Sequence, residues 1–406
     1  MNSGYPHETA RNHKLKGFLL YSLSILMVLL SPDLSIAKQV TFEREYTYQA
    51  SEADSKLSSR AIALEQVKRL LLEELGTYLE SRTEVRDFKL TKDQIITLTA
   101  GIVRTEIAKE TWDGKTYWLK ARIEADPDEV IKSVDSLRKD HQKTKELEET
   151  RRKAAEYLKE MERLRSELAS AKGDTKKQGQ YNEAVNRLSA TDWFEKGYAH
   201  NEAKEYQDAV NAYTRAIELN PKDAKAYNNR GNAYNRLGNY QQAIANYNRA
   251  IKLDPKLAMA YNNRGIAYKN LGNYNQAIAD YTKAIELDPK DAKAYTNRGA
   301  AYGGLGNYNK VIADCTRAIK LDPKYAMAYN NRGVAYDLLG NHNQAIANYN
   351  RAIELDPEDA SAYYNRGFAY EDLGNLQQAF NDYKIAARLG HKGAQDFLRK
   401  QGIDWY

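Results

Sequence analysis

The second half of this 406-residue chain repeats itself every 34 residues. Prolines keep that period at Pro221, Pro255, Pro289, Pro323 and Pro357. Glycines keep it at Gly197, Gly231, Gly265, Gly299, Gly333 and Gly367. A fixed period of this length is typical of a solenoid, in which each unit buries its apolar face only by stacking on its neighbours. The period therefore predicts an elongated array of six stacked units.

Each unit carries the spacing of two helices, called helix A and helix B below. In the second unit one set of residues at helical spacing is Tyr227, Gly231, Tyr234 and Leu237, and a second set is Tyr240, Ala243, Ile244, Tyr247, Ala250 and Ile251. Gly238 follows the first set as a C-terminal stop, and Pro255 cannot continue the second helix. Helix, turn, helix and a proline break are therefore predicted in every unit.

The order aromatic, Gly, Tyr, Ala, aromatic, Ala and Pro within this period resembles the tetratricopeptide repeat. The resemblance implies an α-α superhelix over residues 181–406, with repeats at 190–223, 224–257, 258–291, 292–325, 326–359 and 360–393. A short helix from Tyr181 is expected to cover one open end of the array, and a helix at Ala394–Lys400 the other. The predicted fold class is thus mainly α, with the superhelix preceded by a small α+β domain and a long charged helix.

In tetratricopeptide superhelices, helix A lines the concave surface, and here it carries a column of asparagines. The column is Asn229, Asn263, Asn297, Asn331 and Asn365, and the preceding positions add Asn228, Asn262 and Asn330. An amide offers a donor and an acceptor and can pair with the backbone of an extended peptide. The column resembles the asparagine ladder of peptide-holding superhelices, although repeat duplication alone would also copy it. Lys225 and Lys293 lie on the same face and are predicted to bind acidic groups.

An arginine column and the fourth repeat depart from the family pattern. The arginines, at a position that is usually leucine, are Arg230, Arg264, Arg298, Arg332 and Arg366. They are expected to bury their stems against tyrosine, or to pair with Asp254, Asp288, Asp322 or Asp356.

In repeat four, Val311 and Cys315 replace the usual Ala and aromatic residue, which indicates either a compensated repacking or a bend. Gly303 and Gly304 weaken its helix A, so alanine at both is predicted to stabilise the array by roughly 1–2 kcal/mol.

The first 37 residues read as a secretory signal. Basic residues precede an apolar run at Gly17–Leu30, and small residues follow at Ser35 and Ala37. The run has 14 residues, whereas a bilayer span needs about 20. Cleavage after Ala37 would leave no membrane span and a periplasmic or secreted protein. The alternative is an uncleaved signal that anchors the chain in the inner membrane.

Residues 38–136 carry the pattern of a small α+β domain. Strands are predicted at 41–49, 84–90, 103–111 and 115–124, with helices at 51–80 and 92–99. Asp113-Gly114 between alternating runs indicates a hairpin. The element order, the Ser51–Arg60 entry and the pattern from Gly101 to Tyr117 resemble the N-terminal domain of flagellar assembly T-type envelope proteins. That resemblance implies an envelope assembly or docking role.

A charged helix is predicted from Pro127 to Lys172, with Asp126 as N-cap and no breaker before Gly173. The segment 137–180 comprises the rest of this helix, with a heptad at 147–168, and a polar linker at 173–180. The heptad residues are Leu147, Thr150, Ala154, Tyr157, Met161, Leu164 and Leu168. They predict self-association as a coiled coil, a solvated spacer helix, or packing on the helix's own domain.

The sequence offers no sign of catalysis, cofactor or metal binding. Phosphate-binding loop, nucleophile-elbow and zinc-protease motifs are absent, there is one cysteine, Cys315, and the six histidines are scattered. A net charge of +6 with 29% charged residues gives no footprint for nucleic acid. We therefore predict an exported, non-enzymatic interaction module that binds a peptide or protein segment. The alternative is a structural scaffold that docks through its N-terminal domain and charged helix.

Overall fold

The computed structural model of the protein describes residues 39–170 and 174–405. The predicted signal segment and its cleavage after Ala37 lie outside the described residues. Among the described helices, none is both long and apolar enough to cross a membrane. Residues 39–406 form one compact unit.

The N-terminal domain is built on an antiparallel sheet in the order β1-β3-β2. Its strands are β1 Val40–Gln49, β2 Thr105–Trp112 and β3 Thr116–Ala125. Gly114, with φ of +95°, makes the predicted turn between β2 and β3. The predicted inward residues of β3 are all buried: Tyr117, Leu119, Ala121 and Ile123. Helix α1, Lys56–Glu80, packs on the sheet.

The strand predicted at 84–90 is wrong, because the chain forms the short helix α2, Thr83–Asp87. Val85 is buried and Phe88 is partly buried. These two residues are three apart, which is helical spacing rather than the alternation of a strand. Helix α3, Lys92–Ala100, forms as predicted and carries a capping box at Thr91.

The charged helix is not continuous, contrary to the prediction. It divides at Asp140 into α4, Pro127–Lys139, and α5, His141–Ser170. The Thr144 hydroxyl donates to the Leu137 carbonyl (2.8 Å), and the Asp140 carboxylate accepts from the Lys143 amide (3.2 Å). These polar side chains satisfy backbone groups that a helix end exposes, so the break needs neither glycine nor proline. Asp126 caps α4 as predicted.

The heptad face of α5 packs inside the protein rather than against a second chain. Leu147, Ala154, Met161, Leu164 and Leu168 are all buried in the core shared with α1, α3 and α6. This surface is therefore closed to a partner, and the prediction of self-association through 147–168 is wrong. Packing of the helix on its own domain is the alternative that the structure realises.

The repeat half is an α-α superhelix, which confirms the predicted fold class. Helices A are α6 Thr175–Glu202, α8 Ala224–Arg236, α10 Ala258–Asn270, α12 Ala292–Gly304, α14 Ala326–Leu338 and α16 Ala360–Asp372. Helices B are α7 Tyr206–Leu219, α9 Tyr240–Leu253, α11 Tyr274–Leu287, α13 Tyr308–Leu321, α15 His342–Leu355 and α17 Leu376–Arg388. The predicted linker from residue 175 and the short helix from Tyr181 are continuous with helix A of repeat one. Helix α18, Lys392–Lys400, closes the array as predicted, with Leu398 buried.

Glycine at the eighth position of each repeat lets the two helices approach closely. A Cβ on Gly231 would lie 2.6 Å from a ring carbon of Tyr247, which is itself fully buried. Repeat four relaxes this contact, because Cys315 stands where the other repeats have tyrosine. There a Cβ on Gly299 would lie 3.4 Å from the Cys315 sulfur.

The arginine column fastens each helix A to the helices B on both sides of it. Arg264 forms a bidentate pair with Asp280 of its own repeat (2.8 and 2.6 Å) and donates to Asn248 of the preceding repeat (2.6 Å). Its guanidinium lies over the Tyr261 ring at 5.6 Å, as the tyrosine alternative predicted. Pairing with the aspartates before the prolines is wrong, because the arginine points along the helix pair and not toward the loop.

The two glycines of repeat four differ in their surroundings. Both are helical, but a Cβ on Gly303 would meet only Val311 at 3.7 Å, whereas one on Gly304 would lie 2.5 Å from the Tyr274 ring. We therefore expect Gly303→Ala to raise the free energy of unfolding by about 1 kcal/mol, because alanine loses less backbone entropy in a helix. Gly304→Ala should gain less, because the Tyr274 ring must move. Urea denaturation of the two single variants measures the difference, and a destabilised Gly303→Ala protein would contradict it.

Candidate peptide-binding groove

Helices A line the inner side of the superhelix. Consecutive helices A contact one another along the array, whereas consecutive helices B lie further apart. Positions 2, 6, 9 and 13 of a repeat fall on one stripe of helix A, since they are three or four residues apart. In repeat five this stripe is Met327, Asn331, Val334 and Leu338. It supplies the wall of the concave groove.

The asparagine column is hydrogen-bonded from one repeat to the next. Asn263 donates to the Asn228 side-chain oxygen at 3.1 Å. The same bond joins Asn297 to Asn262 at 3.0 Å and Asn365 to Asn330 at 3.2 Å. Each bond runs from position 6 of one repeat to position 5 of the repeat before it, so the amides form a ladder that also connects the repeats.

This ladder leaves part of its hydrogen-bonding capacity unused. Within the described chain, the Oδ1 of Asn263 and the Nδ2 of Asn262 have no partner. Among the described residues, neither the oxygen nor the nitrogen of the Asn331 amide has a partner, because position 5 of repeat four is Thr296, which donates to the Ala292 carbonyl instead. Half-buried amides with a free acceptor and a free donor therefore face the groove.

The start of the groove is occupied by the protein's own helix α5. Glu149 pairs with Lys225 at 2.7 Å, and Glu146 accepts from Asn229 at 3.1 Å. Asp140, where α4 and α5 meet, reaches Lys293 of repeat four at 3.1 Å. Both lysines therefore hold acidic groups, but these groups belong to the same chain.

Two glutamates of α5 titrate in opposite directions in this contact. Burial raises the pKa of Glu146 to about 7, even though the Lys225 ammonium and the Asn229 amide favour its charged form. The pKa of Glu149 is lowered to about 2, because it accepts a hydrogen bond from Lys225 and a second from Lys153. Burial therefore determines the pKa shift of Glu146, and the cationic partners determine that of Glu149.

The remainder, called the open groove below, covers repeats three to six apart from the contact of Lys293 with Asp140. Its predicted residues are Asn262, Asn263, Asn297, Asn330, Asn331 and Asn365, whereas Asn228 is fully buried and Asn229 is held by Glu146. Beside the amides lie exposed apolar side chains that sequence reasoning missed: Met327 at 53%, Leu338 at 58% and Phe368 at 42% exposure. Their positions 2, 9 and 13 in the repeat were the signal that would have found them.

The single cysteine has the chemistry of a core residue. Cys315 is fully buried, and burial raises the pKa of its thiol to about 12. A thiol with that pKa carries almost no thiolate at neutral pH, and the thiolate is the reactive form.

Family models of the tetratricopeptide repeat match residues 197–389 of the array. The description "TPR repeat" fits residues 197–238, 231–272 and 338–374, and "Tetratricopeptide repeat" fits 258–291, 292–325, 315–347 and 360–389. Residues 197–389 are therefore tetratricopeptide repeats, a repeat that forms protein-protein interaction modules.

Solved structures similar to this chain cover 41% to 59% of it in three examples. MamA is 32% identical over 41% of this chain and 96% of that chain, with a TM-score of 0.36. YrrB, described as a TPR protein with an unusual peptide-binding site, is 25% identical over 48% and 100%, with a TM-score of 0.38. A tetratricopeptide repeat protein from Parabacteroides merdae is 23% identical over 59% and 98%, with a TM-score of 0.45. A comparison with curated proteins found no match.

Proposed function

We propose that the protein is an exported, non-enzymatic interaction module whose open groove holds an extended peptide or protein segment. The observation that carries this proposal is the unused capacity of the asparagine ladder. Each pair such as Asn262 and Asn263 keeps a donor and an acceptor, and each peptide unit of an extended ligand offers the complementary acceptor and donor. Such pairing reads the backbone of the ligand and tolerates many sequences.

The apolar side chains beside the ladder add a preference. Met327, Leu338 and Phe368 are exposed in repeats five and six, where α5 does not reach. A ligand that places apolar side chains there would remove this surface from water, at roughly 25 cal/mol per Å². Export rests on the basic, apolar and small residues of the first 37 positions. The scaffold alternative would have to use the N-terminal domain, because the heptad face of α5 is buried.

Asn331→Ala is expected to weaken peptide binding about tenfold. This corresponds to a loss of about 1.4 kcal/mol of binding free energy, because the variant cannot form hydrogen bonds with the ligand at this position. Asn331 is the best probe because its amide has no partner within the described protein. Asn263→Ala, by contrast, would leave the buried Asn228 oxygen unpaired and cost stability. Peptides are first selected on the full-length wild-type chain from a random display library, and their affinities are then measured by fluorescence polarisation.

The matched control is Gln344→Ala, which removes an exposed amide from helix B of the same repeat. Its affinities should equal those of the wild type. Failure to select any peptide, or equal binding by the Asn331→Ala and Gln344→Ala proteins, would refute the groove as the binding site.

A further inference from the structure

Three side chains with metal-binding chemistry meet where repeat five joins repeat six. The His342 Nδ1 lies 2.8 Å from a carboxylate oxygen of Asp337 and 3.7 Å from one of Asp372. His342 begins helix B of repeat five, Asp337 lies near the end of its helix A, and Asp372 ends helix A of repeat six. The scattered histidines gave no sign of this site in the sequence, because it uses one histidine and the fold supplies the rest.

Copying of the repeat does not explain this cluster. The same three places at the other four joints are Asn201, Tyr206 and Arg236; Asn235, Tyr240 and Asn270; Lys269, Tyr274 and Gly304; and Gly303, Tyr308 and Leu338. None of these sets contains a histidine or a carboxylate. All three places depart from the repeat together at one joint, and all three departures introduce metal-ligand side chains.

The two aspartates at this joint have no lysine or arginine partner in the part of the chain that the structure describes. Within the described chain, both face only the imidazole. Two carboxylates around one imidazole carry a net negative charge that a divalent cation would neutralise.

We propose that Asp337, His342 and Asp372 form a binding site for a divalent transition metal, with Zn²⁺ as the preferred ion. Imidazole nitrogen and carboxylate oxygen are ligands that Zn²⁺ takes at about 2.0–2.2 Å in tetrahedral geometry. Donor atoms around such an ion are about 3.4 Å apart, so the present 2.8 and 3.7 Å separations need shifts of about half an ångström. Water completes the fourth position. The ion cross-links two repeats at the C-terminal end of the groove.

A second cluster in the chain resembles this one and serves as its control. His200 Nδ1 lies 2.7 Å from Glu205, with Asp208 nearby. There the Arg104 guanidinium already bonds the Glu205 carboxylate. A fixed positive charge at the ligand repels a metal cation, so this cluster is not expected to bind one.

Calorimetric titration of the full chain with Zn²⁺ tests the site. His342→Tyr installs the residue that repeats one to four carry at this position, so the fold is expected to persist, and circular dichroism checks this. Asp372→Asn keeps the shape of the side chain. Both substitutions should weaken Zn²⁺ binding at the joint more than tenfold, because loss of even an outer-shell partner costs 10–100-fold. His200→Gln should leave Zn²⁺ binding at the joint unchanged. Titration with Mg²⁺ in place of Zn²⁺ should give no comparable heat.

The stability of the same proteins gives an independent reading. Zn²⁺ should raise the melting temperature of the wild type and the His200→Gln variant but not of the His342→Tyr variant, because only a folded joint binds the ion. Equal Zn²⁺ affinity in the wild type and the His342→Tyr protein would overturn the proposal. So would a wild type without Zn²⁺ binding, or an Asp372→Asn protein that binds as tightly as the wild type.

Discussion

Lys68→Met should lower the free energy of unfolding by about 3–5 kcal/mol, because it removes the buried ammonium that two buried carboxylates share. The Lys68 side chain is 7% exposed and its ammonium lies 2.8 Å from Asp192 and 2.5 Å from Glu195. Burial opposes the ammonium charge, but the two carboxylates outweigh burial and raise the pKa of Lys68. The methionine fills similar space and removes only the charge, so the expected loss is electrostatic.

This network joins the two halves of the protein. Lys68 belongs to α1 of the N-terminal domain, whereas Asp192 and Glu195 belong to α6, the first helix of the array. Arg151 of α5 adds a second cation, 3.7 Å from Glu195 and 3.6 Å from Glu65. Breaking the network therefore weakens the contact that holds α5 against the first repeats.

Urea denaturation at pH 7 measures the effect of Lys68→Met, and Lys283→Met is the matched control. Lys283 pairs with Glu286 at 2.9 Å, but both side chains are about half exposed. An exposed pair of this kind contributes about 0–1 kcal/mol. A Lys68→Met protein that unfolds within 1 kcal/mol of the control would show that the two carboxylates find other compensation.

The repeat array could be predicted from the sequence because its determinants are local and periodic. Gly231 and Tyr247 lie 16 residues apart and contact each other within one repeat, and the same pair recurs in most repeats. The alternation of β3 and the Asp113-Gly114 turn were likewise visible in a few consecutive residues. Patterns of this kind fix which face of an element is buried.

A pattern does not tell which surface covers that face. The heptad of α5 correctly gave Leu147 and Met161 as buried, but the helices that cover them come from the same chain. The break at Asp140 was also invisible, because it depends on two polar side chains that satisfy the backbone where no breaker residue stands. Such choices depend on tertiary contacts and not on local propensity.

In the groove, too, the local pattern was predictable from the sequence and the tertiary contacts were not. The 34-residue period placed the asparagines on one face, but the bond from Asn263 to Asn228 depends on how two repeats stack. The contact of Asp140 with Lys293 joins residues 153 positions apart. The triad of Asp337, His342 and Asp372 likewise forms only when two repeats are adjacent in space.

Glu146→Gln should raise the free energy of unfolding at pH 8 by about 3 kcal/mol, the opposite of the usual loss on removing a paired glutamate. Burial raises the pKa of Glu146 from 4.5 in the unfolded chain to about 7 in the folded protein. The folded state therefore binds the proton more tightly than the unfolded state between these values. Stability falls as the pH rises from 4.5 to 7, and the full cost of the buried charge is present above pH 7.

Glutamine keeps the oxygen that accepts from Asn229 and carries no charge, so the variant should lose this part of the pH dependence. Glu149→Gln, three residues further along α5, is the matched control with the opposite sign. The pKa of Glu149 is lowered to about 2, so its ionised form stabilises the fold above the unfolded value of 4.5, and this contribution is lost as the pH falls toward 2. Glu149→Gln should therefore destabilise the protein at neutral pH.

Urea denaturation of the wild type and both variants between pH 5 and pH 8 decides the outcome. The free energies of unfolding of the wild type and the Glu146→Gln protein should be closest near pH 5, separate as the pH rises to 7, and differ by a constant amount above pH 7, where only the wild type carries a charge at position 146. The carboxylate of Glu146 is the group of α5 that contacts the asparagine column, so its charge also weakens the docking of α5 on Asn229. If both glutamine variants are less stable than the wild type at pH 8, Lys225 compensates Glu146 as fully as it does Glu149, and α5 is held on the groove at every pH in this range.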